Sequence, residues 1–364
     1  MTNPSHATPA EHDHVLLRTD GHAAYITLNR PTALNALSHP MVLRIEKALS
    51  AWSLDPAVEL VVIEGAGERG LCAGGDIRAI HDDAKAGGDA SEGFWRDEYR
   101  LNALIARYPK PYVALMDGIV MGGGVGVSAH GSVRIVTERS CVAMPETGIG
   151  FVPDVGGTYL LALAPGELGT HLALTGAPVG AADALLCGLA DHFVPAAALP
   201  ALARDLAADP VHTVLERYVQ QPPAGALGSA RAWIDHCYAA DTAEEIVARL
   251  SASGVPAAED AADTLLSKSP TALKVTLAAL RRARRLGPLE RVLEQEYRVS
   301  CAALSSPDLV EGIRAQVIDK DRDPHWSPAA LADVTAADVD RFFAPLDAHE
   351  LRLGATAPSQ EVVW

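Results

Sequence analysis

Positive charge is in short supply in this sequence: 30 Lys and Arg stand against 46 Asp and Glu, a formal net charge of −16 over 364 residues. A chain that acidic offers no broad basic face, so neither nucleic acid nor an anionic membrane surface is expected as a partner. Any anionic ligand must be met by a local cluster of cations. Cysteine is scarce as well. Cys72, Cys141, Cys187, Cys237 and Cys301 are odd in number, widely spaced and without a C-x-x-C pair, which argues against a disulfide framework and fits a reduced, cytoplasmic compartment. No stretch of about 18 uninterrupted apolar residues is present, which excludes a membrane-spanning helix on pattern. The opening MTNPSHATPAEHDH has no apolar core and no early basic residue, so neither a secretory signal nor an Arg-rich transit peptide is expected. The 13 histidines are scattered and form no H-E-x-x-H, and no metal site is expected. Asp319-Lys320-Asp321-Arg322-Asp323 opens like a calcium loop, but Pro324 stands where that loop needs glycine and its last position has no glutamate.

What is present is a globular composition, 49% hydrophobic and 21% charged, on a chain long enough for two domains or one large one with an appendage. Residues 1–13 read as a disordered tail. Val15 to Arg18 and Ala23 to Leu28 flank Asp20-Gly21, a hairpin signal. His39 to Trp52 has helical spacing, and Leu60 to Ile63 is an apolar run expected of a strand covered on both faces. Further strands are expected at Pro111 to Met116, Val133 to Val136, Cys141 to Ala143 and Asp191 to Val194. After that, residues 196–208, 211–219, 229–252, 257–267, 270–286 and 288–304 read as helices, with Ser269-Pro270 at N-cap and first helical position. The reading is an α/β fold with a core over 14–200 and a helical C-terminal region over 201–364.

Three glycine- or proline-rich zones follow strands, where ligands meet exposed backbone in α/β proteins. In Gly70-Leu-Cys-Ala-Gly-Gly-Asp-Ile77, glycines run into a helix start at Asp76. Free N–H groups there can stabilise an anion, as an oxyanion hole requires, or the segment is a plain turn with an Asp cap. Met121-Gly-Gly-Gly-Val-Gly-Val-Ser128 fails the dinucleotide template at Val127. It also nearly makes a serine nucleophile elbow, but His130 stands in place of the closing glycine, so Ser128 reads mainly as packing. Met144-Pro-Glu-Thr-Gly-Ile-Gly-Phe-Val-Pro-Asp-Val-Gly-Gly157 places Glu146 and Asp154 in apolar surroundings, where carboxylates are costly unless paired or used. They are an acid/base pair, or a buried ion pair and a helix cap. Arg281, Arg282, Arg284 and Arg285 form the one dense basic run, either complementing a helix C-terminus or binding phosphate.

Taken together, these zones resemble the crotonase, or enoyl-coenzyme A hydratase and isomerase, superfamily, and more closely its 3-hydroxyisobutyryl-coenzyme A hydrolase branch. Ser269-Pro-Thr-Ala-Leu-Lys274, Glu296-Tyr-Arg298, Glu311-Gly-Ile-Arg-Ala-Gln-Val-Ile-Asp-Lys-Asp321 and Trp326 extend the likeness over nearly the whole chain. The resemblance implies a crotonase-like spiral of β-β-α units and an acyl-coenzyme A substrate whose carbonyl oxygen sits between the N–H groups of Gly75 and Gly123. It implies Glu146 and Asp154 in the acyl pocket, with Glu98 and Asp76 as further substrate contacts; a solvated helix face is the alternative for Glu98. Hydratases of the superfamily place a catalytic glutamate where this chain has Gly126. Keeping Glu146, gaining Asp154 and lacking that glutamate fits thioester hydrolysis, with Glu146 activating water or attacking to form an anhydride.

The expected reaction is hydrolysis of 3-hydroxyisobutyryl-CoA in valine breakdown. An enoyl-CoA hydratase or isomerase with altered acids and a non-catalytic acyl-CoA-binding protein are the alternatives. No cofactor is implied, since coenzyme A is part of the substrate. Its phosphates would be met by Arg281, Arg282, Arg284 and Arg285, or by Lys274. Self-association into a homo-oligomer is compatible with this reading.

Overall fold

A computed structural model describes residues 11–355. The Asp20-Gly21 turn joins β1 (Val15–Asp20) to β2 (Ala23–Leu28) as an antiparallel hairpin with Asp20 opposite Ala23. Gly21 adopts φ 54°, the left-handed conformation such a short turn demands. The expected tail is shorter than read, because Glu11–His14 form a 3-10 turn whose Asp13 and His14 carbonyls accept from the side chain and backbone of Asn29 at 2.9 and 2.7 Å. The rest of that tail, residues 1–10, lies outside the described residues.

From the hairpin onward the chain alternates between two sheets. Its strands are β3 (Leu60–Gly65), β4 (Gly70–Cys72), β5 (Tyr112–Met116), β6 (Ile119–Met121), β7 (Val133–Val136), β8 (Cys141–Ala143) and β9 (His192–Phe193). One sheet has the order β1-β2-β3-β5-β7-β9 and the other β4-β6-β8. Every pairing after the hairpin is parallel. Each turn of chain thus gives one strand to the large sheet and the next to the small one, which is the spiral of β-β-α units. The large sheet is covered on both faces, as the unbroken run Leu60 to Ile63 requires. Tyr25, Leu60, Val62, Val113 and Ile135 pack with Leu202 and Val214 from the helices Leu199–Asp205 and Val211–Tyr218, and with Leu206 just past the first of them. Ile26, Val61, Ile63, Ala114 and Met116 join the main core on the other face.

The helix expected over 229–252 is two, Leu227–Tyr238 and Ala243–Ser251. Thr242 divides them because its hydroxyl accepts from the Glu245 amide at 3.2 Å, an N-cap that starts a new helix. Ser269 caps Pro270–Leu286 through the Ala272 amide at 3.0 Å, as its position before proline predicts. Pro270–Leu286 packs on the helix Gly157–Leu163, and Leu289–Ala303 on the helix Ala90–Ala106, so the C-terminal helices back the core segments that follow β8 and precede β5. No helix among the described residues is long and apolar enough to cross a membrane.

Candidate active site

The three expected zones all leave the small sheet at one end and meet around a cleft of about 340 Å3. After β4, the backbone of Leu37 straps the first zone by donating to Gly74 O at 2.8 Å and accepting from Asp76 N at 2.9 Å. Gly75 lies between these two bonds, and its own N–H finds no acceptor among the described residues. After β6, Gly122 turns the chain at φ 49° into the one-turn helix Gly123–Gly126. A side chain at Gly122 would stand 2.8 Å from Glu146 Oε1, so the acid and the turn can share the space only if the turn is glycine. A methyl group at Gly123 would lie 3.3 Å from the Gly75 nitrogen and 2.7 Å from Glu98 Oε1. The two glycines and the Glu98 carboxylate therefore surround one small volume. After β8, Pro145 leads into the 3-10 turn Glu146–Ile149, which starts with the acid.

Glu98 comes from the helix Ala90–Ala106 and is 2% exposed, so the solvated-face alternative does not hold. Trp95, one turn before it, stacks on Phe151 with ring centroids 5.5 Å apart, and both rings line the cleft. Tyr99, next in sequence, donates its hydroxyl proton to Asp154 Oδ2 at 2.8 Å. Asp154 is not a helix cap: the following helix begins at Gly157 behind Gly156. Nor is Glu146 in an ion pair, because its Oε2 and the Oε1 of Glu98 have no hydrogen-bond partner among the described residues.

Burial raises the pKa of all three acids. It pushes Asp154 up to about 7, opposed by the Tyr99 hydrogen bond. Glu146 and Glu98 are held well above the ordinary carboxylate range by burial and then by the charge of Asp154. The cations lining the cleft are Lys268 and Arg322, and burial lowers the Lys268 pKa. No group of three or more His, Cys, Asp or Glu side chains among the described residues is arranged to hold a metal ion. Chemically, the arrangement can hold a carbonyl oxygen against the Gly75 and Gly123 amides, with carboxylates positioned to move protons beside it.

Of the residues expected from the sequence, Gly75, Gly123, Glu98, Glu146 and Asp154 line this cleft. Asp76 does not. Its carboxylate pairs with Arg30 at 3.0 Å, and it borders a neighbouring hollow with His39 and Asp83. The basic run is also elsewhere: Arg281 and Arg284 both grip Glu167 at 2.9 and 2.8 Å, and Arg282 pairs with Asp340 at 2.8 Å. Arg285 borders a separate hollow with Arg282, Arg291 and Arg298. Lys274 is bonded to Glu244 and to the Val334 carbonyl. Arg281, Arg282, Arg284 and Lys274 are thus paired with carboxylates and carbonyls of the chain itself, and sequence alone could not show that Glu167 folds against Arg281. Ser128 is fully buried and donates to Gly124 O at 2.6 Å, a packing bond inside its own turn.

A family model described as Enoyl-CoA hydratase/isomerase matches residues 23–343. The chicken (Gallus gallus) protein named "3-hydroxyisobutyryl-CoA hydrolase, mitochondrial" is 44% identical over 350 residues, 93% of this chain and 91% of that protein. A crystal structure titled as a carnitinyl-CoA dehydratase from Mycobacterium thermoresistibile has a TM-score of 0.91 at 55% identity, covering 94% of this chain and 100% of that one. One titled as an enoyl-CoA hydratase from Rhodobacter sphaeroides 2.4.1 has a TM-score of 0.87 at 45% identity, over 93% of this chain and 99% of that one.

Proposed function

Since the chain belongs to the enoyl-CoA hydratase/isomerase family, we propose that its cleft hydrolyses a 3-hydroxyacyl-CoA thioester, 3-hydroxyisobutyryl-CoA, to coenzyme A and the free 3-hydroxy acid, as in valine breakdown. The chicken relative's name points to that substrate. The observation that carries hydrolysis over hydration is at Gly126, the position where the resembling hydratases hold a glutamate. A Cβ there would stand 2.7 Å from Val155 Cβ and 2.8 Å from Asn102 Nδ2, which leaves no room for an acid. The cleft instead sets Asp154, together with Glu98, beside Glu146.

In the proposed reaction the thioester carbonyl accepts from the Gly75 and Gly123 amides. Glu146 takes a proton from water as the water oxygen bonds to the carbonyl carbon, and the carbonyl electron pair moves onto the oxygen held by the two glycines. Collapse of this tetrahedral species breaks the carbon–sulfur bond, and the departing thiolate receives the proton. Asp154 holds the 3-hydroxyl group or relays the proton. In the variant route, Glu146 attacks directly and water opens the resulting anhydride. The site is largely apolar around these groups, so donors already in place act with little reorganisation. Lys268 and Arg322 replace the arginine run as the groups that meet coenzyme A phosphates. The five free thiols suit any reducing compartment, the cytoplasm expected from the sequence among them.

Thiol release from a panel of 3-hydroxyacyl-CoA esters tests the proposal, with the branched hydroxyisobutyryl ester expected to turn over fastest and EDTA to leave the rate unchanged. Loss of an enoyl double bond with no thiol release would favour the hydration chemistry in the titles of the two crystal structures. Abolition by EDTA with rescue by zinc would refute the carboxylate mechanism. Gly123→Ala keeps its amide N–H, but its methyl group should fill the space between the two amides and Glu98 and hold the carbonyl oxygen off them, lowering kcat on the order of 10²-fold, the scale of one lost oxyanion contact. Wild-type kcat in a folded Gly123→Ala protein would remove the oxyanion assignment.

A further inference from the structure

Tyr99 is fully buried, and its hydroxyl oxygen has two partners: Asp154 Oδ2 at 2.8 Å and Ser300 Oγ at 2.7 Å. A phenol has one proton to give. Because the carboxylate can only accept while ionised, that proton goes to Asp154, and Ser300 donates to the phenol oxygen in turn. The result is a directed chain from Ser300 through Tyr99 to Asp154. It joins the helix Leu289–Ala303 of the C-terminal region to an acid of the cleft.

The backbone beyond Asp154 is also held in place. Val155, a β-branched residue, sits at φ 53° and Gly156 at φ 80°, a left-handed turn that a valine adopts only when its surroundings impose it. Two groups impose it. His130 Nε2 lies 2.7 Å from the Val155 carbonyl; burial lowers that imidazole to a pKa of about 4, so it is neutral and donates its one N–H there. Glu296, on the same helix as Ser300, accepts from Gly156 N at 2.6 Å and from Thr158 N at 2.9 Å. Asp154 is thus fixed through its main chain by His130 and Glu296, and through its carboxylate by Tyr99.

We propose that Tyr99, oriented by Ser300, is the positioning residue that fixes the direction and the protonation of the Asp154 carboxylate. The proposal rests on the reading of Asp154 as a working acid of the cleft. The groups around Asp154 are Glu98 and Tyr99 on the helix Ala90–Ala106, Glu146 on its 3-10 turn, Glu296 behind the loop and His130 beside it, with Lys268 and Arg322 across the cleft. Burial opposes ionisation of Asp154. Two hydrogen bonds favour it, the larger from the Tyr99 hydroxyl proton and the smaller from the backbone amide of Asp154 itself.

Tyr99→Phe keeps the ring and removes the proton. Asp154 should then ionise at higher pH, so the acid limb of kcat for thiol release should move up by about one unit. That is about a fivefold loss of kcat at pH 7, approaching tenfold at lower pH and recovered at alkaline pH, with KM little changed. Ser300→Ala should move the limb the same way by less. A loss of the same factor at every pH, or an unmoved profile, would overturn the proposal. An infrared titration of the free protein, with the Asp154 carboxyl band identified by its disappearance in Asp154→Asn, reads the same shift without turnover. If the wild type releases no thiol, the hydrolase reading fails, and the infrared titration still decides the role of Tyr99. An unshifted band in folded Tyr99→Phe, with circular dichroism like that of the wild type, overturns it.

Discussion

Glu146→Gln is expected to lower kcat for thiol release by about 10²-fold to 10⁴-fold while leaving KM little changed, because the amide keeps the shape of the acid and loses its ability to take a proton or attack. The same substitution should make the protein more stable at neutral and alkaline pH. Burial, and then the charge of Asp154, raises the Glu146 pKa in the folded state. The native protein therefore binds this proton more tightly than the unfolded chain does, and stability falls as pH rises from the ordinary carboxylate range through the raised value. Gln removes that fall. The melting temperature of Glu146→Gln should exceed that of the wild type at pH 8, and the difference should close below about pH 4, where the unfolded acid is also protonated. Near-normal turnover would take Glu146 out of the mechanism. A variant less stable than the wild type at pH 8 would mean that the carboxylate has a compensating partner after all.

Asp154→Asn is the second large effect. Thiol release should fall on the order of 10²-fold or more with the fold intact, since Asn can still accept from the Tyr99 hydroxyl and no helix cap is lost. Asp154 precedes the helix Gly157–Leu163 by more than a cap position, so a loss of activity cannot be charged to a loosened helix end. Unchanged thiol release in Asp154→Asn would remove the chemical basis for distinguishing this cleft from that of a hydratase.

Much of the cleft was legible because its parts are local. Gly74-Gly75, Gly122 to Gly124 and the Pro-Glu and Pro-Asp pairs are short strings set by local turn geometry. The division of strands between two sheets entered only through resemblance, since neither β4 nor β6 is longer than three residues. What stayed hidden was every interaction that depends on distant chain segments. Glu98 was open between site and surface because the groups its carboxylate faces, Gly123 and the cleft, come from distant segments of the chain. Tyr99 and Ser300 stand 201 residues apart, and nothing in either local sequence marks the other. The arginine run misled for the same reason. Its density suggested a phosphate site, while Glu167 and Asp340, far away in sequence, already neutralise three of its members. Lys268 and Arg322 reach the cleft singly, from segments that no basic cluster flags.

In the proposed reaction, water attacks the thioester carbonyl in the space between Gly75, Gly123 and Glu146. Turnover of 3-hydroxyisobutyryl-CoA in heavy-oxygen water, with the products read by mass spectrometry, tests it directly. Hydrolysis predicts free coenzyme A and a hydroxy acid carrying the heavy oxygen in its carboxylate. Label on the C3 oxygen of an intact thioester, with no free thiol, would show reversible dehydration and hydration instead and would contradict the account.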